Sequence, residues 1–339
     1  MAEATRYDRV QYPAGLYPTT TPDHLAMIAR LHGLSAPDPS KARVLEIAGG
    51  DGFNLLAMAA AYPEAQFLSF DLSASAVERG AELAGAAGLG NARVEVGDVI
   101  EAAEDMQGEY DYVIAHGLYS WVPEPVRKAT LKLIARVLAP EGIAFVSYNA
   151  LPGGHLRQAV RDMLLHHVRD IHDPEARVAG ARAVLQEFAS PRPTDRPALS
   201  GLRQIAEPML KKNAGSLYHD ELSDHYAPQA LADVVAAAAA HGLAFLNDAM
   251  PPMIYDGLPG ADGSDAEIVH AAQADDYAVL AFFHQTLLIR AGRPTSRRLD
   301  PARLAGLFIA SNVRRTGETS FVAGDREVEL DDGELADSL

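Results

Sequence analysis

The feature that most constrains this chain is the run Val44-Leu45-Glu46-Ile47-Ala48-Gly49-Gly50-Asp51-Gly52. RVLEIA (43–48) reads as a short buried strand, GGDG (49–52) as a tight turn, and NLLAMAAAY (54–62) as an apolar helix. Glycines let backbone approach a ligand without a Cβ in the way, and the free N–H groups of a helix start face whatever sits there. The spacing is not G-x-G-x-x-G, so the turn does not by itself call for a pyrophosphate.

The strand–helix alternation continues. AQFLSFD (65–71), ARVEVGD (92–98), EYDYVIAHG (109–117) and EGIAFVSYN (141–149) read as strands, with ASAVERGAELAGAAG and PVRKATLKLIARVL as helices among them. Such alternation means βαβ units and a parallel sheet, and strands apolar throughout imply a sheet covered on both faces. Beyond residue 153 the pattern turns helical (HLRQAVRDMLLHHVRDIH, EARVAGARAVLQEFA, then about 199–214), broken by PRPTDRP at 191–197. PQALADVVAAAAAHGLAFLNDA predicts an Ala-rich helix feeding a strand near 243–248, and a last strand falls at about 282–290. Three short strand-like runs follow, to residue 331.

The expected fold is α/β: a Rossmann-like sheet with a helical insertion and a small C-terminal α+β appendage. The expected divisions are an N-terminal arm or lid (1–33), a ligand-binding core (34–152), the insertion (153–216), completion of the core (217–291) and the appendage (292–339). Residues 1–22, with Tyr7, Tyr12, Pro13, Tyr17, Pro18 and Pro22, read as an extended arm rather than a helix.

Carboxylates stand where strands end. Asp71 closes the second strand, where an acid binds ribose hydroxyls, although an Asp there can also cap the next helix. Asp98 closes the third, placed for an adenine edge or for ordinary turn chemistry. Glu46 lies on a buried strand end, where an unpaired charge is costly. Asn54 either caps the first helix or touches a ligand. His116 ends the fourth strand, a site position in this topology, against the plainer reading of a core histidine bonded to backbone. Tyr119 and Trp121 follow in a loop where aromatic rings can hold a cation or simply pack. Tyr148 and Asn149 end the fifth strand as candidates for orienting a substrate.

The formal charge is −17 at pH 7, which argues against a nucleic-acid backbone as the main partner. It is compatible with a basic protein or an amine as substrate. There is no cysteine, so disulfides, thiolate metal sites and Cys nucleophiles are excluded. Adjacent His166 and His167 point to different faces of a helix, and no metal is expected. The apolar stretch 231–246 contains Asp233 and His241 and falls short of the ~20 residues a membrane span needs. The N-terminus lacks a signal peptide's apolar run, so a cytoplasmic protein without membrane partners is expected.

Together, Glu46, the glycines of the turn, Asp71 and Asp98 resemble the motifs of class I S-adenosylmethionine (SAM) methyltransferases. Glu46 matches the family's acid and Gly50 and Gly52 two of its glycines, while Ala48 stands where the first glycine is usual. A narrower resemblance rests on His116-Gly117-Leu118-Tyr119-Ser120-Trp121-Val122-Pro123, Ser147-Tyr148-Asn149, Leu151-Pro152-Gly153, Tyr7-Asp8, Tyr12-Pro13, Thr21-Pro22 and Phe283-His284-Gln285-Thr286-Leu287-Leu288. These are similar to bacterial methyltransferases with a "methyltransferase regulatory domain", a group that includes rickettsial lysine methyltransferases acting on outer-membrane protein. The resemblance implies a SAM site of Glu46, Ala48, Gly50, Gly52, Asn54, Asp71, Leu72, Asp98, Val99 and His116, with S-adenosylhomocysteine as product. It implies catalytic roles for His116, Tyr148 and Asn149, and substrate contacts for Tyr7, Tyr12, Tyr17, Tyr119 and Trp121. The acceptor it implies is a protein lysine. A metabolite acceptor, or a SAM-binding scaffold without turnover that uses the insertion to form a homodimer, stand as alternatives.

Overall fold

The computed structural model describes residues 5–190, 196–250, 264–296, 298, 300–305, 307, 314–323 and 326–329. Most of the 191–197 breaker lies outside the described residues. The chain forms two compact units, Met1–Asp300 and Pro301–Leu339.

The larger unit opens with α1 (Arg6–Arg9) and α2 (Pro22–Leu31), then alternates β1 (Arg43–Ile47), α3 (Phe53–Ala61), β2 (Gln66–Asp71), α4 (Ala74–Ala86), β3 (Ala92–Val96), α5 (Val99–Asp105), β4 (Tyr110–Ala115), α6 (Glu124–Val137) and β5 (Leu138–Asn149). Four helices follow: α7 (Gly153–His167), α8 (Pro174–Ala189), α9 (Pro197–Leu210) and the single turn α10 (Ala214–Ser216), which runs into a π-helical turn, Leu217–Glu221. The unit closes with α11 (Leu231–Ala239), β6 (Leu243–Asp248), α12 (Asp265–Val279) and β7 (Phe283–Arg290). In the smaller unit β8 (Arg314–Arg315), β9 (Ser320–Ala323) and β10 (Arg326–Glu329) form a three-stranded antiparallel sheet.

The seven strands of the main sheet run in the order β3-β2-β1-β4-β5-β7-β6, parallel except for β7, which is antiparallel to both its neighbours, β5 and β6. Side chains alternate along each strand, so each face has its own core. Val44, Phe67, Tyr112, Ile114 and Phe145 pack with Leu25 and Ile28 of α2 and Leu55 and Met58 of α3. Leu45, Ile47, Val113, Ala144 and Val146 pack with Leu131 and Ile134 of α6 and Val234 of α11. The sheet is therefore covered on both faces, as its apolar strands require.

The insertion has a core of its own, with Val160 and Leu164 of α7, Leu185 of α8 and Met209 of α9. That core also takes in Leu217 and Leu222, so the packed insertion runs past residue 216. At the other end, Arg293 Nη2 donates to Ser35 O at 2.8 Å and Ser296 N to His32 O at 2.9 Å, which fixes residues 293–296 to the larger unit.

The arm is not extended throughout. A capping box forms at Thr5, whose Oγ1 accepts the Asp8 N–H while the Asp8 carboxylate accepts the Thr5 N–H, and this nucleates α1. A 3₁₀ turn, Pro18–Thr20, follows. Among the described residues no helix is long and apolar enough to cross a membrane.

Candidate active site

Strand order reverses between β1 and β4, and such switch points open a crevice at the carboxyl ends of the strands. A cavity of about 550 Å³ lies there, walled by the glycine turn, the ends of β2 and β4, the arm and the π-helical turn.

The glycine turn is shaped by its neighbours. A Cβ on Gly49 would lie 2.2 Å from Ser69 Oγ and 2.8 Å from Glu46 Oε2, so only glycine fits there. Ala48 holds a left-handed φ of 55°, a conformation glycine adopts without penalty, and it lines the cavity. Asp71 Oδ2 accepts the Gly50 N–H and Oδ1 the Ser73 N–H, each at 2.9 Å. The cap of α4 is Ser73, not Asp71, so the acid ties the end of β2 to the glycine turn. Burial raises the Asp71 pKa, the N–H groups of Ser73 and Gly50 oppose that rise, and the Asp8 and Asp51 carboxylates add to it.

Asn54 neither caps a helix nor stands free. Its Oδ1 accepts the Tyr17 N–H at 3.0 Å, and its Nδ2 donates to Glu46 Oε1 at 2.9 Å and Thr20 Oγ1 at 3.1 Å. Arm, helix and strand end are thereby joined. The other oxygen, Glu46 Oε2, is buried without a partner, and burial pushes the Glu46 pKa up to about 7. Asp98 caps α5 through the Ile100 N–H at 2.6 Å and also lines the cavity, as do Leu72 and Val99.

His116 follows the end of β4 directly, beside Ser147 of β5, whose Oγ accepts the Gly117 N–H at 2.9 Å and sits 3.0 Å from His116 Nδ1. A hydroxyl oxygen has two lone pairs and one proton, so Ser147 satisfies either His116 tautomer, accepting from Nδ1–H or donating to bare Nδ1. Burial pulls the His116 pKa down to about 4, and Tyr17 packs on the ring with centroids 3.9 Å apart. His116 is a neutral group of the wall and a weak base at pH 7.

Tyr7, Tyr12, Tyr17 and Trp121 also line the cavity. Four other residues expected at the site are not among those lining this cavity. Tyr148 is buried on the opposite face of the sheet, because alternation along β5 turns Ser147 toward His116 and Tyr148 away; its hydroxyl pairs with Thr286 Oγ1 at 2.8 Å. Tyr119 packs against Tyr148 in that same core. Asn149 Oδ1 accepts Arg157 Nη1 at 2.6 Å, a structural link outside the cavity wall. Gly52 starts α3 with φ 67°, and a Cβ there would lie 2.9 Å from Val94, so its role is the turn itself.

Sequence reasoning missed the wall contributed by His219, Asp220 and His225. The Tyr7 and His219 rings stack at 4.2 Å, and Tyr12 Oη donates to Asp220 Oδ1 at 3.2 Å. Behind them, Glu221 is fully buried and paired with Arg157 at 2.6 Å and Lys212 at 2.8 Å.

The order β3-β2-β1-β4-β5-β7-β6 with an antiparallel β7, and an acid at the end of β2 hydrogen-bonded to the glycine turn, form a Rossmann-like methyltransferase fold, and with the similarities that follow the chain belongs to the SAM-dependent methyltransferases. Residues 44–142 match the family described as "Methyltransferase domain". The chain is similar to the structure titled PKMT2 from Rickettsia typhi in complex with AdoHcy, with TM-score 0.81 and 28% identity over 93% of this chain and 64% of that one. Two uncharacterized proteins of Rickettsia prowazekii are also similar. One is 31% identical over 92% of this chain and 58% of its own length; the other is 34% identical over 53% of this chain and 72% of its own. The chain thus spans less than two thirds of the first relative and of the Rickettsia typhi protein.

Proposed function

We propose that this chain transfers a methyl group from SAM to a protein lysine amine. The carrying observation is one cavity that brings strand-end acids and an aromatic wall together: Asp71 and Asp98 line it along with Tyr7, Tyr12, Tyr17, Trp121, His219 and Asp220. The cofactor's features suit the acids: Asp71 retains lone pairs for ribose hydroxyls, and the unpartnered Glu46 Oε2 is an acceptor suited to an ammonium. The similarity to a protein whose structure holds AdoHcy supports the same reading.

SAM, when bound, supplies an electrophilic methyl on a sulfonium sulfur. The chain's work is to bind, orient and exclude water. An amine seated against the aromatic rings of this wall gives up water, and desolvation lowers an amine's pKa. His116, neutral and with a low pKa, shapes this wall, and the acceptor's proton leaves to water. The arm, joined to Asn54, Ser73, Ser75 and the π-helical turn, excludes solvent as a roof.

A metabolite acceptor is the second reading, favoured by that roof, which narrows the way in for a folded protein. Methyl-labelled SAM added to lysate proteins separates the two. Label on lysine of protein bands supports the proposal; label confined to the small-molecule fraction overturns it.

A further inference from the structure

Arg79 lines the cavity, and its Nε is buried without a hydrogen-bond partner. The other arginine of that wall, Arg6, is spent on the chain itself, donating to Tyr218 O and Leu222 O at 3.1 Å. A buried donor without an acceptor is a standing cost that a bound acceptor removes.

Helix geometry places this donor. Ser75, Ala76 and Arg79 share one face of α4. Ser75 Oγ binds Asp8 of the arm at 2.7 Å, and Ala76 lines the cavity. The adjoining Gly80 packs on the sheet side, where a Cβ would meet Asp51 O at 2.3 Å. Long helical side chains lean toward their helix's N-terminus, and α4 begins after Ser73, beside Asp71 and Leu72, which line the same cavity as Arg79, Asp98 and Val99. A guanidinium there meets ring nitrogens in its plane or a purine face beneath it.

Resting on the SAM reading, we infer that Arg79 recognises the adenosine half of the cofactor, as a specificity-determining residue beyond the strand-end acids. The test is calorimetric titration of the full chain with S-adenosylhomocysteine and with 5′-methylthioadenosine, which keeps the adenosine and lacks the amino-acid chain. Arg79→Met is expected to weaken both ligands about tenfold, and Arg79→Lys to recover part of the loss. Ligand-free melting of each variant shows that the loss is not unfolding, and Arg79→Gln replaces Arg79→Met if the latter does not fold. Unchanged S-adenosylhomocysteine affinity overturns the inference. So does a loss confined to S-adenosylhomocysteine, which would put the guanidinium at the amino-acid carboxylate. Failure of the unmutated chain to bind S-adenosylhomocysteine is a different result, which removes the cofactor reading and this inference with it.

Discussion

Asp71 Oδ2 accepts the Gly50 N–H at 2.9 Å, so the acid that ends β2 and the turn that follows β1 are one hydrogen-bonded unit. Asp71→Asn presents an amide with one acceptor where the carboxylate has two. S-adenosylhomocysteine affinity is expected to fall tenfold or more, about 1.4 kcal/mol, with little change in ligand-free melting temperature. Titration calorimetry reads the first and a thermal melt the second. Equal affinity in the two proteins would remove Asp71 from the cofactor site.

Glu46 is held by burial at a pKa of about 7, above its ordinary 4.5. A raised carboxyl contributes stability below its unfolded pKa and loses it as pH rises through the folded one. Glu46→Gln should therefore make the ligand-free chain more stable at pH 8 by about 1–3 kcal/mol and flatten the pH dependence between 4.5 and 8. The same variant should bind cofactor more weakly, since Oε2 is then no charged partner for an ammonium. Urea unfolding at pH 5 and pH 8 decides it; an unchanged pH slope contradicts the assignment.

Arg157 pairs with fully buried Glu221 and also donates to Asn149. Arg157→Met leaves Lys212 as the remaining cation on Glu221 and should cost about 2–4 kcal/mol. Because Glu221 adjoins Asp220 in the cavity wall, acceptor KM should rise several-fold. Cofactor Kd should stay within about twofold of the unmutated chain, since an ion pair on one wall acts weakly on contacts beyond it. Steady-state kinetics against acceptor and cofactor separately measure this; parallel losses in both would mean a global effect.

His284 lies between Asp248, 2.9 Å from Nδ1, and Asp276, 3.0 Å from Nε2. Burial lowers its pKa, but the two carboxylates outweigh burial and raise it to about 9. Its stabilisation is full below the unfolded value near 6.5 and is lost as pH rises through about 9. His284→Gln should cost about 3 kcal/mol at pH 6 and clearly less at pH 9.5. Chemical denaturation at the two pH values tests it, and an equal cost at both would show that the ring is not charged.

The parallel sheet was legible because Val-, Ile- and Leu-rich strands end in acids and glycines. RVLEIA followed by GGDG leaves few other folds. The helix α12 was not, since its polar sequence buries little beyond Ile268, Val269 and Ala272. Strand-end placement brings His116 to the cavity but not Tyr148, because position along a strand does not say which face a side chain takes. His219 and Asp220 reach the cavity only through packing of the insertion, which leaves no local spacing to read. Tyr119 looked like a loop aromatic and is core.

The arm is anchored to the sheet domain at Asp8 and again at Tyr17, while Val10 and Tyr12 between them grip His219 and Asp220. Arg6 and Tyr7, on the outer side of Asp8, hold the same turn. One strip is thus stitched to two bodies, the sheet domain over the glycine turn and the packed insertion beside it. On the proposed reaction each transfer consumes one cofactor, so every round requires both an acceptor and a cofactor to exchange beneath the same strip.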